Sequence, residues 1–453
     1  MTASTGRRSA ALIAAALSLA PLAACTSPPE PVDLVSSVAD GRLDEFGLIE
    51  GKPYEGAHIR FLNCCDTIPQ FAALRERTEE FTERTGITVE WANIPYASYL
   101  QKIVAESAIG GGTYDVVAWP DAFGPSLRIG VQPLDEVLPE SRVDMDDFPP
   151  PFQEAARVGT EQTYGVPFRG FSYNLFYRTD TYRELGFEPP ETWPEYVGQL
   201  EAMKEESDLH PLAGQYGRGS GQNLYTWLTM LWSNGGDVFD ENGEPAFTDP
   251  EGIEATEQYI DLIRTGLTPA QSASWGELEA TNSLLHGDAE TTLAWSWHQE
   301  DFTNPDKADP AALGEIGVAP VPGFEGREST TYAYTWLVGV LNSSQRQGPA
   351  WEYVKWMTDP RTERDIALDK SDPATTTGIT VHLSNMRDEE VNRANAGLPA
   401  TQADSLEHAR TVPQTREWPR VMDVLEVAVN EMAHGAEVRP ALEKAAEEIR
   451  ALD

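Results

Sequence analysis

From His58 onward, short apolar runs alternate with longer stretches in which apolar residues recur every three or four positions. Residues 58–62 form a run of strand type. Phe71, Leu74 and Phe81 then mark one face of a helix that stops at Thr85-Gly86, where a glycine can take the left-handed turn that closes a helix. Residues 87–91 are a second strand, Leu100, Ile103 and Val104 mark the next helix, and residues 115–119 are a third strand behind Gly110-Gly111-Gly112. Such alternation predicts βαβ units and a mainly parallel sheet. Further on, residues 164–168 and 173–177 predict two strands joined across Arg169 to Ser172. Thr192 is placed to cap the helix that follows. Trp351, Val354 and Met357 mark a later helix, and Leu442, Ala446 and Ile449 mark the last one, from Pro440. No repeat of fixed period is present.

At 453 residues the chain exceeds the roughly 250–300 at which a single core stops growing, so two lobes are expected. With 73 acidic against 33 basic residues the net charge is −40, which argues against nucleic acid as a partner. The N-terminus changes the picture more. Arg7 and Arg8 precede an apolar run over residues 10–24 and then Cys25, the order of a secretory leader. The tetrad Leu22-Ala23-Ala24-Cys25 resembles a lipobox. It predicts a leader over residues 1–24, cleavage before Cys25, and a lipid on that cysteine with residues 25–56 as anchor and Pro-rich linker. An ordinary secretory peptide is the alternative. No later stretch is apolar enough to span a bilayer, so the mature chain is expected outside the cytoplasmic membrane, held to its outer face by lipid.

With Cys25 committed, Cys64 and Cys65 are the only other thiols, and in an oxidising compartment they can pair within the molecule only with each other. Consecutive α-carbons stand about 3.8 Å apart, below the usual disulfide range of about 4.4–6.8 Å, so such a bond would be strained and would force a tight turn. Ligands of open parallel sheets bind beyond the carboxyl ends of the strands. Those ends are Asn63-Cys64-Cys65-Asp66 and Trp119-Pro120-Asp121, which puts the cysteine pair at the rim of a site.

Among catalytic and metal motifs, little is present. The seven histidines show no HExxH or CxxC company, so no metal site is expected and the histidines are expected at surfaces and caps. Gly217-Arg218-Gly219-Ser220-Gly221 has arginine where a nucleophile elbow needs its serine, and no Gly-Lys-Ser/Thr follows to make a phosphate loop. No cofactor is implied. Acid pairs of glycosidase type are uninformative among 73 acids. The informative pattern is aromatic residues interleaved with polar ones: Trp119 with Asp121, Phe168-Arg169-Gly170-Phe171, Trp295-Ser296-Trp297-His298, residues 332–336, and Arg416-Glu417-Trp418. Ring faces stack on the C–H faces of sugars while carboxylates, amides and guanidiniums take the hydroxyls. Taken singly, each Trp is as readily a core residue.

In this order, several segments resemble the extracellular solute-binding proteins of ABC importers, in the carbohydrate-binding, maltose-binding-protein-like branch. These are residues 81–89 with Thr85-Gly86-Ile87, residues 114–121 followed by 130–135, Tyr164-Gly165-Val166-Pro167 with Asn174-Leu175-Phe176-Tyr177, Pro189 to Trp193, and Pro413-Gln414 before Trp418. The resemblance covers most of residues 57–450. It implies a two-lobed α/β fold of the periplasmic-binding-protein (Venus flytrap) type, hinge-linked, with the ligand in the interlobe cleft. Lobe one takes residues 57–168 and 336–378, and lobe two takes 169–335 and 379–453. It implies a monomer that is not an enzyme and that delivers a carbohydrate to permease subunits. The residues carried over are Cys65 and Asp66, Trp119 and Asp121, Gln222 and Asn223, Trp297, and Trp418. Cys64, Phe168, Arg169, Phe171, His298, Tyr334, Trp336 and Arg416 complete the expected ligand wall. The chain departs from the family pattern at Gln222, where an acid is usual, and at Phe171-Ser172, where a carboxylate often meets sugar. The cysteine pair reads two ways: a vicinal disulfide packed against the ligand, or two thiols facing core and cleft in turn. A charged solute held by Arg169 and Arg416, a polyamine held by Asp66 and Asp121, and a secreted glycosidase are the alternative functions.

Overall fold

The computed structural model describes residues 33–65, 68–109, 112–219, 221–372 and 375–452. The leader and Cys25 lie outside the described residues. Eight strands are described: β1 (His58–Asn63), β2 (Thr88–Asn93), β3 (Val116–Pro120), β4 (Val166–Arg178), β5 (His210–Ala213), β6 (Ala289–Trp295), β7 (Ile316–Pro320) and β8 (Ala333–Val340). They are ordered β2-β1-β3-β8-β4-β6-β5, with β7 also paired to β4. Helix Pro69–Thr85 is closed by Gly86 at φ 74°, and Thr192 accepts from Glu195 N at 3.3 Å to cap helix Trp193–Glu206.

The sheet is mixed, which corrects the expectation of a mainly parallel one. β1 pairs in parallel with β2 and β3, and β5 with β6, as βαβ units require. The pairs β3–β8, β4–β8, β4–β6 and β4–β7 are antiparallel. Strands that cross from one lobe to the other and back must run against their neighbours, and β4 and β8 do so. The first half of β4 pairs with β8 in the lobe-one sheet, and its second half pairs with β6 and β7 in the lobe-two sheet.

β4 is also one strand where two were expected. Residues 169–172 do not break it because all four pair with β8. The Arg169 guanidinium lies over the rings of Phe71 and Phe171, and Ser172 Oγ donates to Asn174 Oδ1. The cost is a register shift between Pro167 and Arg169. A third crossing segment runs beside β8: Arg410 N donates to Thr331 O at 2.9 Å and Ala333 N donates to Arg410 O at 2.8 Å.

The stretch expected as linker is folded from residue 33 on. Leu34, Leu48 and Ile49 are buried, and Ile49 N donates to Glu352 Oε2 at 2.9 Å, so apolar side chains dock these residues on helix Gln347–Met357. Residues 383–407 pack both on helix Pro360–Leu368 and, through helix Leu398–Glu407, on β4 and β7. The last two helices, Trp418–Ala433 and Val438–Arg450, pack on Leu224–Ser233 and Pro250–Arg264. Among the described residues no helix is long and apolar enough to cross a membrane.

Candidate functional site

The carboxyl ends of β1 and β3 point the same way because both strands lie parallel in one sheet, and β8 enters at that edge. In a strand, alternate residues share a face. On β8 these are Tyr334 and Trp336, preceded by Tyr332; on β4 they are Arg169, Phe171 and Tyr173. These side chains build one continuous aromatic belt, whose rings are buried except for the half-buried Tyr225 and Tyr334. Trp336 meets Tyr99 at 6.2 Å and Phe71 at 5.9 Å, and Phe71 meets Phe168 at 5.6 Å. Arg169 lies 5.0 Å over Phe71 and 4.5 Å over Phe171. Phe171 stacks on Tyr334 at 6.2 Å and 15°. Tyr334 meets Trp295 at 5.5 Å, and Trp295 meets Tyr225 at 5.0 Å and Tyr332 at 4.9 Å. The belt therefore runs from helix Pro69–Thr85 of lobe one, over both crossing strands, to the end of β6 in lobe two.

Cys64 and Cys65 form a disulfide at the end of β1, with Cα atoms 3.8 Å apart. Cys64 is buried and Cys65 half-buried, and Cys65 takes φ 65°, a conformation rare for a side-chain-bearing residue. Cys65 O accepts from Ile68 N at 3.0 Å, closing the turn into helix Pro69–Thr85. Asp66 lies outside the described residues.

Other predicted residues fall elsewhere. Trp119 belongs to the lobe-one core, against the expectation of a cleft wall. It pairs with Leu337, one residue out of step with Trp336, and so points to the opposite face of the sheet. There its ring fills the space that Gly165 and Gly339 leave open. Trp418 is likewise buried, at the start of a helix that packs beside the Asp121–Phe123 turn. Asp121 is fully buried and spends its carboxylate on Ala122 N at 2.8 Å and Thr411 Oγ1 at 2.6 Å, tying lobe one to the third crossing segment. Burial pushes its pKa up to about 7, against those two hydrogen bonds.

Asn223 holds structure rather than lining a cleft: its Nδ2 donates to Tyr216 O and to Glu426 O. Gln222 Oε1 accepts from Glu277 N at 3.0 Å. Arg416 is exposed, with Nε 3.4 Å from Pro125 O. Trp297 is half-buried and stacks on His298 at 3.7 Å. His298 is buried, with Nε2 2.7 Å from Glu277 and Nδ1 3.7 Å from Asp301. Burial alone would lower its pKa, but the two carboxylates outweigh it and hold the imidazole above its ordinary value. His382 is also buried against an acid, Glu363; both stand at helix N-caps, and His286, His408 and His434 at C-caps, so the expectation of surface and capping histidines is corrected only in the burial of these two.

Arg169 is buried, and that burial lowers its pKa, although a guanidinium stays charged at neutral pH. Glu300, within electrostatic reach of it, is pushed up to about 7 by its own burial. The residues that sequence reasoning left out of the site are Phe71, Tyr225, Trp295 and Tyr332. Tyr332 stands two positions before Tyr334 at the start of β8, so alternation is the available signal there. Among the described residues no group of three His, Cys, Asp or Glu side chains could hold a metal ion. A cavity of about 850 Å³, walled by Trp232, Phe239, Arg410, Val412, Glu417 and Leu452, contains none of the predicted site residues.

A sequence model described as "Bacterial extracellular solute-binding protein" matches residues 66–363. A probable amino-acid ABC transporter periplasmic-binding protein of Sinorhizobium fredii is 25% identical over 386 residues, covering 84% of this chain and 85% of that one. The erythritol/L-threitol-binding protein of Mycolicibacterium smegmatis is 22% identical, covering 76% of this chain and 74% of its own. Among solved structures, maltose-bound MalE3 of T. maritima superposes with a TM-score of 0.75 at 21% identity, covering 88% of this chain and all of that one. Its fold is thus the two-lobed one expected.

Proposed function

Because this chain belongs to the bacterial extracellular solute-binding protein family, whose members bind and do not catalyse, we propose that it is the receptor of an ABC importer. It captures a sugar or polyol between its lobes and hands it to permease subunits. The observation that carries this reading is the belt from Trp336 and Phe71 through Phe171 and Tyr334 to Trp295 and Tyr225. A run of ring faces spanning both lobes suits the C–H faces of a polyhydroxylated chain or ring. A relative named for binding erythritol and L-threitol supports the polyol part of this reading.

The half-buried Tyr334, Trp297, Gln222 and Cys65 are the wall a ligand reaches. The Cys64–Cys65 ring adds a rigid, weakly polar surface at the rim. Ligand touches both lobes only when they close, so its binding energy favours the closed form, which the permease recognises. The lipid on Cys25 holds the receptor at the outer face of the membrane.

The test is thermal unfolding of the chain from Thr26 on, against a panel of sugars, alditols, sugar acids and amino acids. A ligand at about 100 times its Kd adds roughly 2.7 kcal/mol, a readable shift. Stabilisation by one sugar or polyol series, with the ligand recovered unchanged, is the expected result. Stabilisation by amino acids alone overturns the sugar reading and keeps the receptor. Replacing Cys25 with Ser should release the chain from the membrane fraction; retention there argues against the lipid tether.

A further inference from the structure

Arg169 is an ion without a partner. Its side chain is 4% exposed, and no hydrogen bond or ion pair joins it to a described residue; its Nε has no acceptor. Its close neighbours are two ring faces, Phe71 and Phe171. Rings attract a guanidinium, but they leave its N–H donors unsatisfied, and a charge held out of water in that condition is strongly unfavourable. The carboxylate within reach, Glu300, makes no ion pair with it and has an unpartnered oxygen of its own.

A second donor set faces the same place. Gln70 and Phe71, in the first turn of helix Pro69–Thr85, share with Arg169 the walls of a pocket of about 20 Å³ that Leu74, Phe168, Met357 and Val381 also line. The helix N-cap, Ile68, has no side chain able to cap that turn. The first turn of a seventeen-residue helix presents free N–H groups and the positive end of its dipole. Glu363 and His382 also line the pocket. They face each other at 3.1 Å, and Glu363 accepts further from Val381 N and Asn385 Nδ2, so its charge is spent. Arg169 thus stands where that pocket adjoins the belt, one alternate position along β4 from Phe171 and its stacked partner Tyr334.

Building on the sugar-receptor reading, we propose that Arg169 and the first turn of helix Pro69–Thr85 form a carboxylate subsite at the floor of the cleft. The ligand is then an acidic sugar, a uronate or an aldonate, rather than its neutral counterpart. A carboxylate is flat and takes two parallel N–H donors from a guanidinium, the geometry that Arg offers and Lys does not. The rings of Phe71 and Phe171 hold the guanidinium plane in place before the ligand arrives.

The test is calorimetric titration of the whole mature chain with D-galacturonate and D-gluconate against D-galactose and D-glucitol, in the wild type, R169K and R169Q. In the wild type the acids should bind at least about tenfold tighter than the neutral compounds. R169Q should erase that preference and R169K should retain part of it. Circular dichroism checks that each variant folds; if R169Q does not, the wild-type ratio and R169K decide. Neutral compounds that bind as tightly as the acids to the wild type overturn the subsite and leave the receptor reading standing. A sugar phosphate that binds more tightly than the uronate overturns the carboxylate assignment. If no sugar, polyol or sugar acid binds, the sugar reading falls and the subsite with it.

Discussion

Replacing Asp121 with Asn isolates a charge that the fold has taken out of water. Asp121 is fully buried at the end of β3, where it accepts from Ala122 N and Thr411 Oγ1. Burial raises its pKa from 3.8 to about 7. Between those values the folded chain holds a proton that the unfolded chain has lost, so stability falls as pH rises. The contribution is fully present below about pH 4 and is gone above about pH 7. Each unit is worth about 1.4 kcal/mol, so the passage from about pH 5 to about pH 8 costs roughly 3 kcal/mol at this residue. Asn keeps the shape, accepts from Ala122 N and can donate to the Thr411 hydroxyl, but carries no charge. Urea denaturation of wild type and Asp121→Asn at both pH values gives the answer as a difference of differences, in which Glu300 and the other titrating groups cancel. The gain in stability from Asn should be larger at the higher pH by roughly 3 kcal/mol. An equal gain at both pH values would refute the claim that burial raises the Asp121 pKa.

Three other outcomes are expected. In Gly165→Ala the added methyl would stand 2.8 Å from the Trp119 ring, so thermal melting should show a loss of about 1–3 kcal/mol, as overpacking brings. Thr192→Ala removes the acceptor for Glu195 N and should cost about 0.5–1 kcal/mol, read by the same melt. Tyr334→Ala removes the half-buried ring that links Phe171 to Trp295; affinity for the sugar or polyol should fall by about 1–3 kcal/mol in calorimetry, and an unchanged affinity would remove Tyr334 from the wall.

Local signals in the sequence were read well where a single residue decides the structure. Gly86 takes the left-handed turn that ends helix Pro69–Thr85, and Thr192 caps helix Trp193–Glu206. The paired cysteines bond to each other in the structure. What the sequence hid depends on which way a side chain faces. Trp119 and Trp336 are neighbours across β3 and β8, yet a one-residue offset sends one to the core and the other to the belt. Nothing in the local pattern around Trp119 tells those faces apart, because β3 is buried on both sides. Arg169 hid the continuity of β4 for a related reason: a polar residue reads as a loop until its ring partners, Phe71 and Phe171, are known.

The belt bears on mechanism because of where it crosses. A ligand lying only on Trp336 and Phe71, or only on Trp295 and Tyr225, would touch a single lobe and bind open and closed forms alike. Equal affinity for two states shifts neither, however tight the binding. Tyr334 and Phe171 stand between those groups on the strands that pass from lobe to lobe, so a ligand that covers them and reaches both ends has contacts only a closed cleft supplies. The crossing strands are held in register against β3 on one side and β6 on the other. The shift at Pro167/Arg169 is the interruption in that pairing, and a bulge is where a paired strand bends at least cost. Arg169 sits at that interruption, with one ring from lobe one and one from the crossing strand against its guanidinium. A carboxylate held there as proposed would place ligand charge beside that interruption, on a strand that both sheets share.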